Sequence, residues 1–125
     1  MLRDPERPHA LHNLSSGRHT AIVASRVELA VDSQSRRRGL LGRDGLDEGA
    51  ALIIAPSSAI HTFSMRFAID VVFVARDGRV LKSYAAVGPR RIAFRLGAFA
   101  VIELPAGTVS RTPVKAGDIV RLVSR

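Results

Sequence analysis

Cysteine is absent from the 125 residues, which removes disulfides, thiol nucleophiles and thiolate metal sites at once. Such a composition fits a reducing compartment, and the expected location is the cytoplasm. Tryptophan is absent too, and one tyrosine with five phenylalanines leaves Val, Ile, Leu and Ala to fill the core. No run approaches the length of about eighteen apolar residues that a helical membrane span needs, so none is expected. No Gly-x-Ser-x-Gly elbow is present, and no feature sets a serine beside a base. Residues 1–18 contain Pro5 and Pro8 and lack the apolar run of a secretory signal, so a flexible N-terminal arm is expected there. His9, His12 and His19 belong to this arm or its edge, with no helix to align them as metal ligands, and are expected to be exposed.

What remains is enough for one core. A chain of this length buries about two-thirds of its unfolded surface, so residues 19–125 are expected to form a single domain. The formal net charge is +8, and Arg3 and Arg7 cancel Asp4 and Glu6, so the excess lies beyond the arm. Nearly all of it is arginine, clustered only at Arg36, Arg37 and Arg38 and at Arg90, Arg91 and Arg95. A basic surface can meet nucleic acid, anionic lipid or acidic ligands, and scattered arginines equally describe a solvated surface.

The most informative stretch runs from Ile60 to Val74. From Phe63 the odd positions Phe63, Met65, Phe67, Ile69, Val71 and Phe73 are large and apolar, whereas Thr62, Ser64, Arg66, Ala68 and Asp70 are polar or small. This is strand periodicity. From Asp70 onward Val72 and Val74 make the second face apolar as well, so a core strand buried on both sides is expected over residues 69–75. A strand of fifteen residues is longer than usual, which predicts a bend or bulge near residues 66–68.

Around it, short β-branched runs at 20–24, 27–31, 51–55, 99–104 and 119–123 read as strands. Asp32 or Ser33 is placed to cap a short helix running through Leu41, with Gly42 to end it and three arginines in its later turns. Asp77-Gly78 between two apolar runs is a hairpin signal. The sum is a mainly β (α+β) fold: one compact antiparallel domain, barrel-like or sandwich, with one or two short helices.

Four motifs in order, Arg36-Arg-Arg-Gly-Leu-Leu-Gly-Arg43, His61-Thr-Phe-Ser-Met-Arg-Phe-Ala-Ile-Asp70, Asp77-Gly-Arg-Val80 and Val101-Ile-Glu-Leu-Pro-Ala-Gly107 with Gly117-Asp118, resemble the prokaryotic family catalogued as domain of unknown function 192. The likeness covers about residues 20–124. Ala68 stands where that family commonly has proline, and Leu41 where it has methionine. The resemblance implies a small β-rich single domain and no established activity.

The candidate ligand-binding residues are His61, Thr62, Arg66, Asp70 and Arg43. Asp70 lies against an apolar run, where a carboxylate needs hydrogen bonds or an ion pair. It is either a structural tie or the polar anchor of a pocket that Arg66 and His61 face. Arg43, just past Gly42, can reach an anion or simply be solvated. Glu103 faces opposite to Ile102 and Leu104 and can pair with an arginine that the sequence does not select. His61, Asp70 and Glu103 are metal ligands by type but not by spacing, so no metal and no cofactor are expected. These residues suggest a small ligand-binding or interaction module with a small-molecule or protein partner. Alternatives are a weak nucleic-acid binder through the arginine clusters and a small hydrolase, and no catalytic signature favours an enzyme.

Overall fold

In the computed structural model the described residues are 8–15, 21–63 and 65–124. In chain order they form β1 (His9–Asn13), β2 (Ala21–Ala24), β3 (Arg26–Ala30), α1 (Ser33–Arg38), β4 (Ala50–Ile54), β5 (Ala59–His61), β6 (Ile69–Val74), β7 (Val80–Val87), β8 (Ile92–Phe94), β9 (Ala100–Pro105), α2 (Thr108–Arg111) and β10 (Val120–Ser124). A central sheet runs β3-β4-β9-β6-β7, a smaller sheet runs β10-β1-β2, and β5 pairs with β8 as a separate ribbon.

The central sheet is covered on both faces because its inner strands are apolar at consecutive positions. Val72, Val74, Ile53, Ile102 and Leu104 point to one side, where they pack with Leu11 and Val23 of the smaller sheet into the first core. Ile69, Val71, Phe73, Leu52, Ile54 and Val101 point to the other, where Leu40, Met65, Ile60 and Ala93 complete a second core. Burying each such aliphatic side chain stabilises the fold by roughly 1.5–3 kcal/mol before the entropy of ordering is charged against it. The arrangement is a sandwich over the first core, mainly β, with no closed barrel among the described residues.

The expected hairpin is present, with β6 antiparallel to β7 across Asp77-Gly78. Gly78 takes φ of +92°, and a β-carbon there would collide with the Val120 carbonyl oxygen. The predicted bend is present too, since residues 62, 63 and 65–68 are outside strand geometry, between β5 and β6. Phe63, expected on the apolar face of the long strand, is instead 46% exposed.

Three expectations are corrected. Residues 9–13, assigned to the arm, form β1, paired with both β10 and β2. His9 is buried rather than exposed, because alternation along a central strand turns it into the fold. His19, Ser64 and the arm over residues 1–7 lie outside the described residues. The helix is one turn shorter than expected: Asp32 caps it, accepting from the Ser35 N–H at 2.7 Å, but Gly39 at φ +48° ends it and sends Leu40 into the second core. Within the expected, mainly antiparallel fold one pair, β3 and β4, is parallel and joined through α1, the long crossover a parallel pair requires.

One buried carboxylate ties these elements together. Asp70, on β6 and fully buried, accepts the Ala86 N–H at 2.8 Å and the Val109 N–H at 2.9 Å. Ala86 sits at φ 51°, left-handed for a non-glycine residue, and Val109 lies in the first turn of α2. The carboxylate thus fixes the bent end of β7 and the start of α2 to the central sheet. In Asp70→Asn one oxygen becomes an amide nitrogen facing a buried donor. Urea denaturation should show a loss of roughly 1–3 kcal/mol, and an unchanged midpoint and slope would show that the tie contributes nothing.

Candidate functional site

The second core does not close over its own centre. Between α1, the segment after β4 and β5 lies a cleft of about 390 Å³ lined by Leu40, Leu41, Ile54, Ile60, Met65 and His61, with Arg36, Arg37 and Arg38 around it and Glu103 within it. Glu103 reaches it through register. Val101 and Glu103 share the face opposite Ile102, and β9 places Glu103 beside Leu52 on β4 and Val71 on β6, both buried and apolar.

Glu103 is only 4% exposed, and among the described residues nothing hydrogen-bonds to its carboxylate. Burial pushes its pKa up to about 7, opposed only in part by the positive charge of Arg43. Arg43 does not pair with it because Glu28 holds that guanidinium bidentately, at 3.0 Å and 2.8 Å. This pair raises the arginine's pKa and lowers that of Glu28, chiefly through the shared hydrogen bonds. It is half-exposed and contributes little stability. Its consequence is local, because it leaves the buried carboxylate without a dedicated partner.

The sequence-derived candidates separate. His61 lines the cleft and is exposed, its ring stacked on Phe63 at 5.6 Å. Among the described residues no hydroxyl or carboxylate hydrogen-bonds to it, so the arrangement required of a hydrolase is not assembled there. Thr62 is fully buried and works as a knot: its hydroxyl donates to the Gly88 carbonyl at 2.7 Å and accepts the Arg91 N–H at 2.8 Å. Its own N–H donates to the Arg91 carbonyl, and its carbonyl accepts from Arg90, which stands at φ 64°. Arg66 is exposed and paired with exposed Asp44, remote from Asp70 in partnership though close in sequence. Arg43 is beside Glu28, and Asp70 faces the first core. His61 is therefore the one candidate of the five that lines the cleft.

Arg36, Arg37 and Arg38 line it from α1, and Arg36 donates to the Pro56 carbonyl at 3.2 Å. Arg90, Arg91 and Arg95 sit on or beside the β5–β8 ribbon, where the Arg95 N–H donates to the Ser58 carbonyl. The cleft residue missing from the five ligand-binding candidates was Glu103. Its signal was present as one charged residue inside an otherwise apolar strand, but nothing in the sequence showed which face was buried. Among the described residues no group of three or more His, Asp or Glu side chains gathers as a metal site.

Fold and cleft together define a small β-sandwich domain whose second sheet face opens on a basic-rimmed cleft with a buried carboxylate. The chain belongs to the DUF192 family, described as an uncharacterized ACR, whose model matches residues 14–122. A proposed transcription regulator from Sinorhizobium meliloti 1021 has a similar structure, with a TM-score of 0.80 at 24% identity over 91% of this chain and 92% of that one. A protein of unknown function from Novosphingobium aromaticivorans DSM 12444 has a TM-score of 0.75 at 28% identity, over 90% and 83%. No curated protein matches the chain. At these identities the first likeness speaks for the fold alone.

The raised pKa of Glu103 makes stability depend on pH. The folded chain retains this proton up to about pH 7, whereas the unfolded chain releases it near its ordinary value. The stabilisation is complete below that ordinary value and lost as pH rises towards 7, by at most roughly 3 kcal/mol. Glu103→Gln, neutral throughout, should match wild type at about pH 4 and exceed it at about pH 8. Urea denaturation at both values checks this, and a variant weaker than wild type at the higher pH would mean that the carboxylate has a favourable partner.

Proposed function

We propose that the protein is a small-molecule-binding module whose ligand occupies the cleft between α1 and β5. The observation that carries this is Glu103, a buried carboxyl without a hydrogen-bond partner among the described residues, facing a cavity whose lining is part apolar, from Leu40, Ile54, Ile60 and Met65, and part basic, from the arginines of α1. Buried polar groups are normally satisfied, and one left open in a cleft is ready to accept from a ligand donor. The arginines at the rim supply the opposite preference. Arg37 and Arg38 are exposed, with no ion pair among the described residues, and suit a carboxylate or phosphate. The ligand class this favours is a small amphipathic molecule with an anionic group at one end and a hydrogen-bond donor at the other. Thr62 and Asp70 act as positioning residues, since both hold backbone rather than face the cleft.

A nucleic-acid reading draws on the arginine clusters that approach Pro56 and Ser58 from two sides. The six-residue α1 is too short to act as a groove-reading helix of the usual kind. Contacts of arginine with phosphate alone would be non-specific and lost as salt rises.

The test is a thermal-shift screen of amino acids, small carboxylates, amines and phosphorylated metabolites, since a ligand bound only by the native state raises Tm. Hits should carry both an anion and a donor, and their shifts should fall in Glu103→Gln and in Arg37→Gln/Arg38→Gln. Shifts that persist in both variants would place binding elsewhere.

A further inference from the structure

Four of the five exposed large hydrophobic side chains among the described residues, Phe63, Ile92, Phe94 and Leu96, belong to the β5–β8 ribbon and its flanks. Their exposures are 46%, 67%, 64% and 85%, and a cluster of this kind calls for an explanation that scattered apolar residues do not. The ribbon is two-faced. Register sets His61 opposite Ile92 and Ala59 opposite Phe94. Between them Ile60 and Ala93 turn inward onto the second core, so Ile92 and Phe94 point outward. Phe63 extends the outer face by stacking on His61. The Thr62 knot holds the loops at one end of the ribbon, so the apolar face is presented by a fixed element.

Along the two segments that build this face every charge has one sign. No acidic residue occurs between Glu48 and Asp70 or between Asp77 and Glu103. Arg91 and Arg95 are exposed beside the apolar side chains, and neither guanidinium has an acidic partner among the described residues.

We propose that this face docks on an anionic phospholipid surface, with Ile92, Phe94 and Leu96 entering the boundary between headgroups and acyl chains and the arginines resting among the phosphates. Apolar side chains surrounded by cations match the two layers of such a surface, because buried area and charge attraction add. Charge complementarity selects this occupant over others. A second copy of the same face would bring arginines against arginines. Nucleic acid would satisfy the arginines and stack on Phe63 and Phe94, but it gives Leu96 and Ile92, the two most exposed side chains, no acyl layer to enter. No helix among the described residues is long and apolar enough to span a membrane, so the contact would be peripheral.

Sedimentation of the full chain with vesicles tests this, using phosphatidylcholine alone and phosphatidylcholine mixed with phosphatidylglycerol. Binding to the mixed vesicles is expected, with little to the neutral ones and a decline as salt rises. Phe94→Ser/Leu96→Ser and Arg91→Gln/Arg95→Gln should each lower vesicle affinity roughly tenfold or more. Their melting temperatures should stay at the wild-type value, since these side chains are exposed. Equal binding to neutral vesicles, or affinity unaffected by both variants, would overturn the proposal. So would an oligonucleotide that strips the protein from anionic vesicles at equimolar phosphate, or self-association abolished by Phe94→Ser/Leu96→Ser, which would identify a different occupant.

Discussion

The Asp70 carboxylate is the constraint from which the arrangement follows. It is fully buried and accepts one backbone N–H from the end of β7, where the register with β6 is irregular, and another from the start of α2, which belongs to no strand. Charge-assisted bonds to backbone donors compensate the cost of burial, and they also fix Ala86 in a conformation that costs a non-glycine residue energy. From that end of β7 the chain passes through Gly88 to Arg91, where Thr62 takes over with four further hydrogen bonds. Asp70 and Thr62 together therefore set where the β5–β8 ribbon lies, and the ribbon forms one wall of the cleft.

The central sheet carries two buried carboxylates whose situations are opposite. Asp70 points into the first core and has its donors, whereas Glu103, one strand away, points into the second and has none among the described residues. The difference follows from what covers each face. The first face meets another sheet and α2, so backbone donors are close. The second meets a six-residue helix and a two-stranded ribbon, elements too small to close over the sheet. The cleft is the space they leave, and Glu103 shares it with the rim arginines because Arg43 is held by Glu28.

Much of the fold was legible in the residues. Consecutive apolar positions after Asp70 marked a strand with two buried faces, Asp77-Gly78 marked the hairpin, and Asp32 marked the helix start. The misses have physical causes. β1 was hidden because His9-Ala-Leu-His-Asn13 has few β-branched residues, and it is pairing with β10 at the far end of the chain that makes it a strand. β5 and β8 have three residues each and acquire their structure from each other. The arm reading failed at His9 for the same reason, as local composition carries no information about a distant partner strand. For the site, Asp70 was rightly singled out as needing partners, and the structure supplies backbone donors in place of the arginines also considered. Arg66 and Arg43 took acidic partners that lie far from them in sequence, and Glu103, considered as half of an unassigned ion pair and as a metal ligand by type, proved to be the carboxylate with no hydrogen-bond partner among the described residues.

The central claim is that one carboxylate is satisfied and the other is held in reserve. It is tested most directly by following the side-chain carboxyl carbons by NMR across a pH titration, assigning Glu103 by its loss in Glu103→Gln. The account predicts a Glu103 midpoint at about 7, well above the ordinary glutamate range. A midpoint near 4.5, the ordinary value for glutamate, would show that the carboxylate is solvated or already paired, and that the cleft lacks the open acceptor on which its proposed role depends.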